Sequence, residues 1–279
     1  MLPISLQLTF LRRTDVGPAL LTVEDIKIGT RTSTIHVSLS QSRRKSNSPP
    51  EVKVAGYITV SPEKLDQAGA AIATGGQDKL IPKPAPGSLS DGAVDLDSLR
   101  INGRDGVWEV YPASPLIAVY HHFDVFTPPF PLQYGKRVNS IVEQWNLFRP
   151  GGNADTGPGP IARWTNDTVP FLTDIFPQAL LRLGTAADLV DVDNKVKLDD
   201  EVEDSFRHWY PTVTLNIDIK KSLPVEGVDW LYSRVVTKSV RGGRHDLEVE
   251  IRLPNGELVA TSTQVGLVMD IGRNLSNRL

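Results

Sequence analysis

The chain has 279 residues, 40% of them hydrophobic and 23% charged, which is the composition of a globular protein with a substantial core. Its net charge of −3 argues against a whole-chain basic field that would attract nucleic acid or a membrane surface. The absence of cysteine excludes disulfide frameworks, cysteine-ligated metals and thiol nucleophiles, and no apolar run reaches the length of a membrane span.

The first ~60 residues are predicted to form β-strands, because apolar and polar residues alternate there and β-branched residues are frequent. A turn is expected from Asp15 to Pro18, and the stretch SRRKSNSPP is predicted to be a polar hairpin loop. The four strands are expected at residues 5–13, 19–29, 31–41 and 51–60.

Residues 61–107 differ in composition from the strands before them. The stretch GGQDKLIPKPAPGSLSDGAVD is rich in Pro, Gly and Asp and has no periodicity, which indicates a linker that crosses the surface. We therefore predict an N-terminal unit at 1–74, a linker at 75–107 and a C-terminal unit at 108–279.

The C-terminal unit is predicted to open with two strand-like stretches, VWEVYPASPLIAVYHHFDVF and SIVEQWNLF, followed by the polar loop RPGGNADTGPGP. An acidic, exposed loop is expected at residues 185–205. From Thr212 onward the alternation of apolar and polar residues predicts strands again.

The segment TVPFLTDIFPQALLRLG predicts the helix of this unit. Pro177 fits its first turn, where the missing N–H costs little, and Gly184 supplies a stop signal. The apolar residues that recur at helical spacing are Phe171, Ile175, Ala179 and Leu180.

The strands after Thr212 repeat the strands at the start of the chain. Both copies open with an alternating strand that ends in two basic residues, at Arg12-Arg13 and at Lys220-Lys221, and both then turn at a glycine. Each copy continues with a long strand, a turn and another strand. The matching order predicts a duplicated β-rich unit whose copies lie about 210 residues apart.

The two copies differ in what precedes their strands. The second copy follows an apolar helix, whereas the first begins at Met1 directly on a strand, so its N-terminal strand and helix are expected to be lacking. Either the start of the chain is truncated or the first unit is incomplete. Without a helix, the first sheet is expected to expose an apolar face.

A mostly antiparallel sheet wrapped around an apolar helix, present twice, is typical of the double hotdog, an α+β fold. The chain resembles the fungal branch of the thioesterase-like superfamily, which is related to acyl-CoA thioesterase II. The resembling segments are FLRRTDVGPALLTVEDIKIGTRTSTIHVSLSQ, TNDTVPFLTDIFPQ, WYPTVTLNIDIKKSLPVEGVDWLYSRVVTKSVRGGRHDLEVEI and ELVATSTQVGLVMDIGRNLSNR.

The resemblance implies a catalytic Asp, Thr and Gln in the second unit. These match Asp174 of FLTDIFPQ, Thr214 of TVTLNID and Gln264 of VATSTQVG. The Thr is the least secure of the three matches, because Thr212 lies two residues away and is expected on the same strand face.

The same residues suit thioester hydrolysis on chemical grounds. A carboxylate such as Asp174 can take a proton from water, and desolvation would raise its pKa toward neutrality. Hydroxyl and amide groups can hold that water, and backbone N–H groups at the first turn of the helix could stabilise the oxyanion. Each residue also has a structural alternative: a helix cap for Asp174, an ordinary strand residue for Thr214 and a hydrated sheet edge for Gln264.

Histidines and glycines elsewhere give weaker signals. His121 and His122 lie in a strand-like stretch, which would direct them to opposite faces and prevent them from sharing one metal. His208 is expected to pack beside aromatic residues, and Gly242-Gly243 is predicted to be a turn. Basic residues that could meet the phosphates of CoA, or simply end solvated strands, are Arg12, Arg13, Lys220, Lys221, Arg241 and Arg244.

The sequence therefore predicts a hydrolase that converts acyl-CoA and water into a carboxylic acid and CoA, with an acyl tunnel and with neither a metal nor a redox cofactor. Two alternatives stay open: release of a polyketide or other specialised acyl thioester, and a non-catalytic acyl-binding subunit. The resemblance implies a homo-oligomer. A cytoplasmic location is expected, with a peroxisomal one suggested by the final Asn-Arg-Leu.

Overall fold

The computed structural model describes residues 1–42, 49–62, 94–111, 118–128, 141–153, 155–175 and 208–270. The predicted SRRKSNSPP loop falls mostly outside these ranges, and the acidic 185–205 segment and the C-terminal Asn-Arg-Leu fall wholly outside them. The strands of the N-terminal unit are β1 (Leu2–Phe10), β2 (Leu20–Lys27), β3 (Ser33–Gln41) and β4 (Glu51–Ser61).

The elements of the rest of the chain are short at first and then longer. Helix α1 (Leu96–Asn102) is followed by β5 (Glu109–Val110), a 3₁₀ helix (Ala118–His122), β6 (Phe123–Thr127), β7 (Ile141–Phe148) and helix α2 (Val169–Thr173). The final strands are β8 (His208–Trp209), β9 (Thr212–Ile219), β10 (Trp230–Val236), β11 (Val240–Arg241), β12 (Arg244–Arg252), β13 (Leu258–Leu267) and β14 (Met269–Asp270).

In the part of the chain that the structure describes, one antiparallel sheet joins twelve strands in the order β2-β3-β4-β1-β9-β13-β12-β10-β7-β6-β5, with β11 paired to β12. Strands β1 and β9 form the junction, with Gln7 opposite Asn216. On either side of it the order β1-β4-β3-β2 is mirrored by β9-β13-β12-β10. The predicted duplication and the predicted double-hotdog class are confirmed, and the two sheets expected from the sequence meet edge to edge.

Helix α1 lies inside the stretch 75–107 that the sequence predicted to be a linker, where no helix was expected. The Asp95 side chain caps the helix by accepting from Ser98 N, and Gly103 ends it with a positive φ of 71°. Leu99 is buried against Trp108 and Trp145. The helix therefore covers the outer face of the sheet near β7 and β10.

Helix α2 covers the other face of the same sheet. Its apolar residues Val169 and Leu172, with Ile175 just beyond it, belong to a core that includes Leu247 of β12 and Val259 of β13. Among the described residues, all hydrophobic side chains of the buried core come from α1 onward, and none come from β1–β4. The predicted exposure of the N-terminal sheet is seen at Leu20, Leu21, Val23, Ile26 and Ile28, each more than half exposed.

Within the described residues, no helix is long and apolar enough to cross a membrane.

Candidate active site

Asp174 is positioned by the short helix α2 and the turn that leads into it. The Thr168 hydroxyl accepts from Thr165 N at 2.8 Å and donates to Thr165 O at 2.9 Å, which shapes the entry. Pro170 then lies in the first turn, where its fixed φ favours the helix. Asp174 directly follows the helix at its C-terminal end, so it does not cap the start of α2, where Thr168 lies.

Gln264 reaches the backbone beside Asp174 from β13. Its Nε2 donates to Thr173 O at 2.8 Å, and the residue is only 2% exposed. Strand β13 lies between β9 and β12, so the alternative of a hydrated sheet edge is wrong. A carbonyl oxygen can only accept, and this fixes which end of the amide faces Thr173.

The other end of the Gln264 amide is the clearest chemical signal of this region. Its Oε1 is buried and has no hydrogen-bond partner among the described residues. A buried acceptor without a donor costs roughly 1–3 kcal/mol, so such an atom is rarely kept without a use. A bound water or substrate group could supply the missing donor.

Thr212 contacts Asp174 directly, because its hydroxyl Oγ1 donates to Asp174 Oδ1 at 3.0 Å. Thr214 is placed differently. Val265 pairs with Thr214 but Gly266 pairs with Thr212, so β9 carries one extra residue here.

This bulge decides which threonine faces the site. Thr212 lies on the face of Gly266 and Gln264, whereas Thr214 lies with Val265 on the opposite face, since neighbouring strand residues alternate. The expectation that Thr212 and Thr214 share a face was wrong. The structure brings together Asp174, Gln264 and Thr212, and it does not bring Thr214 to them.

The Asp174 carboxyl group is tuned by two opposing effects. Desolvation by the surrounding protein raises its pKa from 3.8 to about 6, and the hydrogen bond from Thr212 works in the lowering direction. The residue nevertheless keeps an exposed surface. The carboxyl group therefore combines a pKa of about 6 with a surface that solvent can still reach.

A second buried amide near Asp174 was missed by the sequence analysis. Gln144 of β7 is 1% exposed and donates from Nε2 to Ile175 O at 3.2 Å. Its neighbour Asn146 is fully buried and donates to Ser233 Oγ at 3.0 Å. The sequence signal was the stretch QWN, in which two amide residues lie two positions apart in a short apolar strand and therefore on the same face.

His245 was also missed. It lies beside Gly266, and a Cβ at Gly266 would be only 2.2 Å from His245 Nε2, so the imidazole ring occupies the space that a side chain there would need. The ring packs edge-on against Tyr210 with centroids 6.1 Å apart. Burial lowers the pKa of His245. The His245 ring thus fills the space beside Gly266, the residue that pairs with Thr212.

Four of the six candidate phosphate-binding residues separate into two groups by strand register. Arg244 pairs with Leu267, next to Gly266, so the β11–β12 hairpin with its Gly242-Gly243 turn lies at the end of the sheet where Thr212 lies. Both turn glycines have positive φ, which confirms the predicted turn. Lys220 and Lys221 lie at the opposite end of β9, paired with Asp218 and Glu257 respectively.

Three further expectations concern the surroundings of the site. His121 and His122 end a 3₁₀ helix, so the predicted strand geometry at these residues was wrong. The described ranges contain no group of three or more His, Cys, Asp or Glu side chains that could hold a metal. Pro177 and the remainder of the predicted helix lie outside the described residues, so the oxyanion donors stay a prediction.

The acyl tunnel also stays a prediction. A hollow of about 720 Å³ lies beside α1, lined by polar residues such as Ser98, Asn102 and Arg104. Its lining includes neither Asp174 nor Gln264 and is poorly suited to an acyl chain.

Solved structures share this fold. A putative thioesterase II from Thermobifida fusca YX superposes with a TM-score of 0.58 at 17% identity, covering 95% of this chain and 79% of that one. A hotdog-fold protein of unknown function from Alicyclobacillus acidocaldarius gives a TM-score of 0.55 at 14% identity, covering 96% and 78%. These likenesses define the chain as a hotdog-fold protein.

The sequence comparisons identify the family. Residues 97–268 match the acyl-CoA thioesterase C-terminal domain and residues 2–61 match the N-terminal domain. The thioesterase-like protein TwmA of the fungus Talaromyces wortmannii is 27% identical over 290 residues, covering 95% of this chain and 76% of TwmA. The chain belongs to the acyl-CoA thioesterase family, and it is a thioester hydrolase.

Proposed function

We propose that the protein hydrolyses acyl-CoA thioesters with a water molecule held by Asp174 and Gln264, while Thr212 orients the Asp174 carboxyl group. The observation that carries this proposal is the meeting of three polar side chains at one turn: Thr212 on Asp174 Oδ1, and Gln264 on the carbonyl beside it. Thr212 takes the place that the sequence resemblance gave to Thr214. The family membership supports the reaction class.

In the proposed reaction Asp174 acts as the general base. Water attacks the thioester carbonyl carbon, a C–O bond forms, and the proton of the water passes to the Asp174 carboxylate. The tetrahedral intermediate then collapses, the C–S bond breaks, and the CoA thiolate leaves with the proton that Asp174 took from the water, which returns the carboxyl group to its ionised form. The products are a carboxylic acid and CoA, and no covalent intermediate with the enzyme is required.

The roles of the two other residues follow from their hydrogen bonds. Because Thr212 donates to Oδ1 of Asp174, the second carboxylate oxygen can turn toward the water. Because Gln264 uses its N–H on Thr173 O, its Oε1 can accept the other water hydrogen. Two acceptors then fix the orientation of the attacking oxygen, which is the advantage of holding a nucleophile before reaction.

The CoA portion is proposed to lie along the β11–β12 hairpin. Arg241 and Arg244 are exposed there, at the end of the sheet that carries Thr212. Arginine suits phosphate because its planar donors bind two oxygens at once. A thioester without the nucleotide, such as an acyl N-acetylcysteamine, should therefore be hydrolysed with a higher KM than the matching acyl-CoA.

The experiment that tests the proposal is thiol release from acyl-CoAs of short to long chain length by the purified protein and its Asp174→Asn variant. Asn keeps the size of the side chain and removes the base, so we expect a loss in kcat of at least ~100-fold. Thiol release at background level from every acyl-CoA by the wild-type protein would contradict the acyl-CoA assignment. Equal rates from both proteins would contradict the role of Asp174.

A further inference from the structure

Two buried amides hold the two backbone carbonyls on either side of Asp174. Gln264 Nε2 donates to Thr173 O at 2.8 Å, and Gln144 Nε2 donates to Ile175 O at 3.2 Å. The donors come from β13 and β7, which are separated in the sheet by β12 and β10. The turn that carries Asp174 is thus fastened at both ends by donors from distant strands.

We infer that Gln144 is a positioning residue, which orients the Asp174 carboxyl group by fixing the carbonyl of Ile175. The inference rests on the proposed function, in which Asp174 is the base. Gln144 itself does not contact Asp174 through a hydrogen bond in the described structure. It acts through the backbone of the turn, whereas Gln264 both fastens the turn and offers Oε1 to the water.

The hydrogen bond from Gln144 matters because the turn at Asp174 has little stability of its own. The described part of α2 has only five residues, too few to be stable by themselves. At its end, Asp174 N donates to Phe171 O and Ile175 N donates to Leu172 O, each at 3.2 Å. These are bonds of the tighter 3₁₀ type, whose geometry is poorer than that of the α-helix. Contacts with the sheet must therefore set the direction of the Asp174 side chain.

Gln144 is itself held in one conformation. Its Nε2 also donates to Asn146 Oδ1 at 3.3 Å, and Asn146 Nδ2 donates to Ser233 Oγ at 3.0 Å and to Leu231 O at 3.2 Å. Asn146 and Ser233 are both fully buried. The hydrogen-bonded row runs from β10 through β7 to the turn at Asp174. A buried hydrogen-bond network of this kind restricts motion and favours one geometry.

The N-terminal repeat supplies a matched control. Gln41 is also buried, at 7% exposure, and its Nε2 donates to Asp15 O at 2.8 Å. It therefore fastens a backbone carbonyl as Gln144 does, but in the loop between β1 and β2. Gln41→Met should change the local stability of that loop and leave the kinetics unchanged.

The test compares Gln144→Met with Gln41→Met in kcat, KM and amide hydrogen exchange. For Gln144→Met we expect kcat to fall roughly 10- to 100-fold, because small misplacements of a base are costly. KM should stay within about threefold, since Gln144 is buried and is not among the residues proposed to bind CoA. Hydrogen exchange should accelerate in residues 169–175 and stay unchanged in β13, whereas general destabilisation would accelerate both.

The outcomes separate the inference from the proposed function. An active wild-type protein together with unchanged kcat and unchanged exchange in Gln144→Met overturns the inference alone. A wild-type protein that releases no thiol contradicts the proposed function. In that case, slower or unchanged hydrogen exchange at residues 169–175 in Gln144→Met also overturns the claim that Gln144 holds the turn at Asp174. If Gln144→Met does not fold, Ser233→Ala decides in its place. It should lower kcat by about threefold and accelerate exchange at 169–175, and no change in either overturns the inference.

Discussion

The two repeats share a strand order but differ in what covers them. In the C-terminal repeat, α2 packs on the sheet face and buries Leu247 and Val249 of β12. In the N-terminal repeat, the described structure leaves Leu21 and Val23 of β2 mostly exposed. The sheet is therefore common to both repeats, whereas the helix distinguishes the repeat that carries the candidate site. A sheet face covered by a helix can desolvate a carboxyl group such as Asp174.

Two glycines of the corresponding strands β4 and β13 show the same contrast. In β4, a Cβ at Gly56 would lie 2.0 Å from Gln7 O, so this glycine permits close backbone approach. In β13, Gly266 leaves room for the imidazole ring of His245, two residues from Gln264. In the N-terminal repeat the absence of a side chain at Gly56 allows two strands to pair closely. In the C-terminal repeat its absence at Gly266 leaves space for the His245 ring beside the polar site.

Among variants that compare the two repeats, Gln264→Leu is expected to have the largest effect on kcat. The substitution removes both the donor to Thr173 O and the buried acceptor, so we expect kcat to fall roughly 10²- to 10³-fold, as for other pre-aligned polar groups. The control is Gln7→Leu, which changes an exposed glutamine of β1 and should alter kcat less than about twofold. Steady-state thiol release checks both. Similar losses in the two variants would remove the distinction between the repeats.

The next effect separates the two threonines of β9. Thr212→Val removes the hydroxyl that donates to Asp174 and should lower kcat roughly 10- to 100-fold. Thr214→Val changes a residue on the opposite face and should stay within about twofold. The same thiol-release assay measures the pair, and a larger loss in Thr214→Val would show that the bulge has been interpreted wrongly.

Gly266→Ala should lower the stability of the C-terminal repeat. The new methyl group would meet His245 Nε2 at 2.2 Å, and because that ring is buried we expect a loss in the free energy of unfolding of about 1–3 kcal/mol. Gly106→Ala, where no atom lies within 4 Å of the new Cβ, serves as the control. Denaturant unfolding measures both, and equal stability of the two variants would contradict the tight placement of His245.

The last pair, which includes the smallest effect, compares a buried with an exposed valine of the two sheets. Val249→Ala in β12, at 1% exposure, should cost about 2 kcal/mol of unfolding free energy, since a buried side chain is lost. Val23→Ala in β2, at 57% exposure, should cost less than about 0.5 kcal/mol. Chemical denaturation of the two variants provides the comparison. A large loss for Val23→Ala would show that the face of β2 is covered in solution.

The repeated strands could be predicted from the sequence because alternation has a simple physical cause: one face is buried and the other is not. Gln264 and Asp174 were found through the family resemblance. Thr212 could not be separated from Thr214 in this way, because the bulge in β9 changes which face each residue occupies. A one-residue shift of register leaves no clear mark in the composition of a strand.

Other parts of the structure depend on contacts between distant segments. Helix α1 has seven residues and one buried side chain, Leu99, so it shows too little periodicity to be predicted. The role inferred for Gln144 depends on its hydrogen bond to Ile175 O, which joins residues 31 positions apart in sequence. Such pairings are set by the packing of the whole fold.

The most direct test of the account is the pH dependence of kcat/KM for the wild-type protein, Thr212→Val and Thr214→Val. The base is active only when ionised, so with a pKa of about 6 for Asp174 the rate should rise tenfold per pH unit below that value and level off above it. The hydrogen bond from Thr212 lowers the pKa of Asp174, so its removal in Thr212→Val should raise that pKa and move the profile to higher pH. Thr214→Val should leave the profile in place. A wild-type rate that does not change from about pH 5 to about pH 8, or a shift caused by Thr214→Val instead of Thr212→Val, would contradict the assignment of Asp174 and Thr212 as partners in the site.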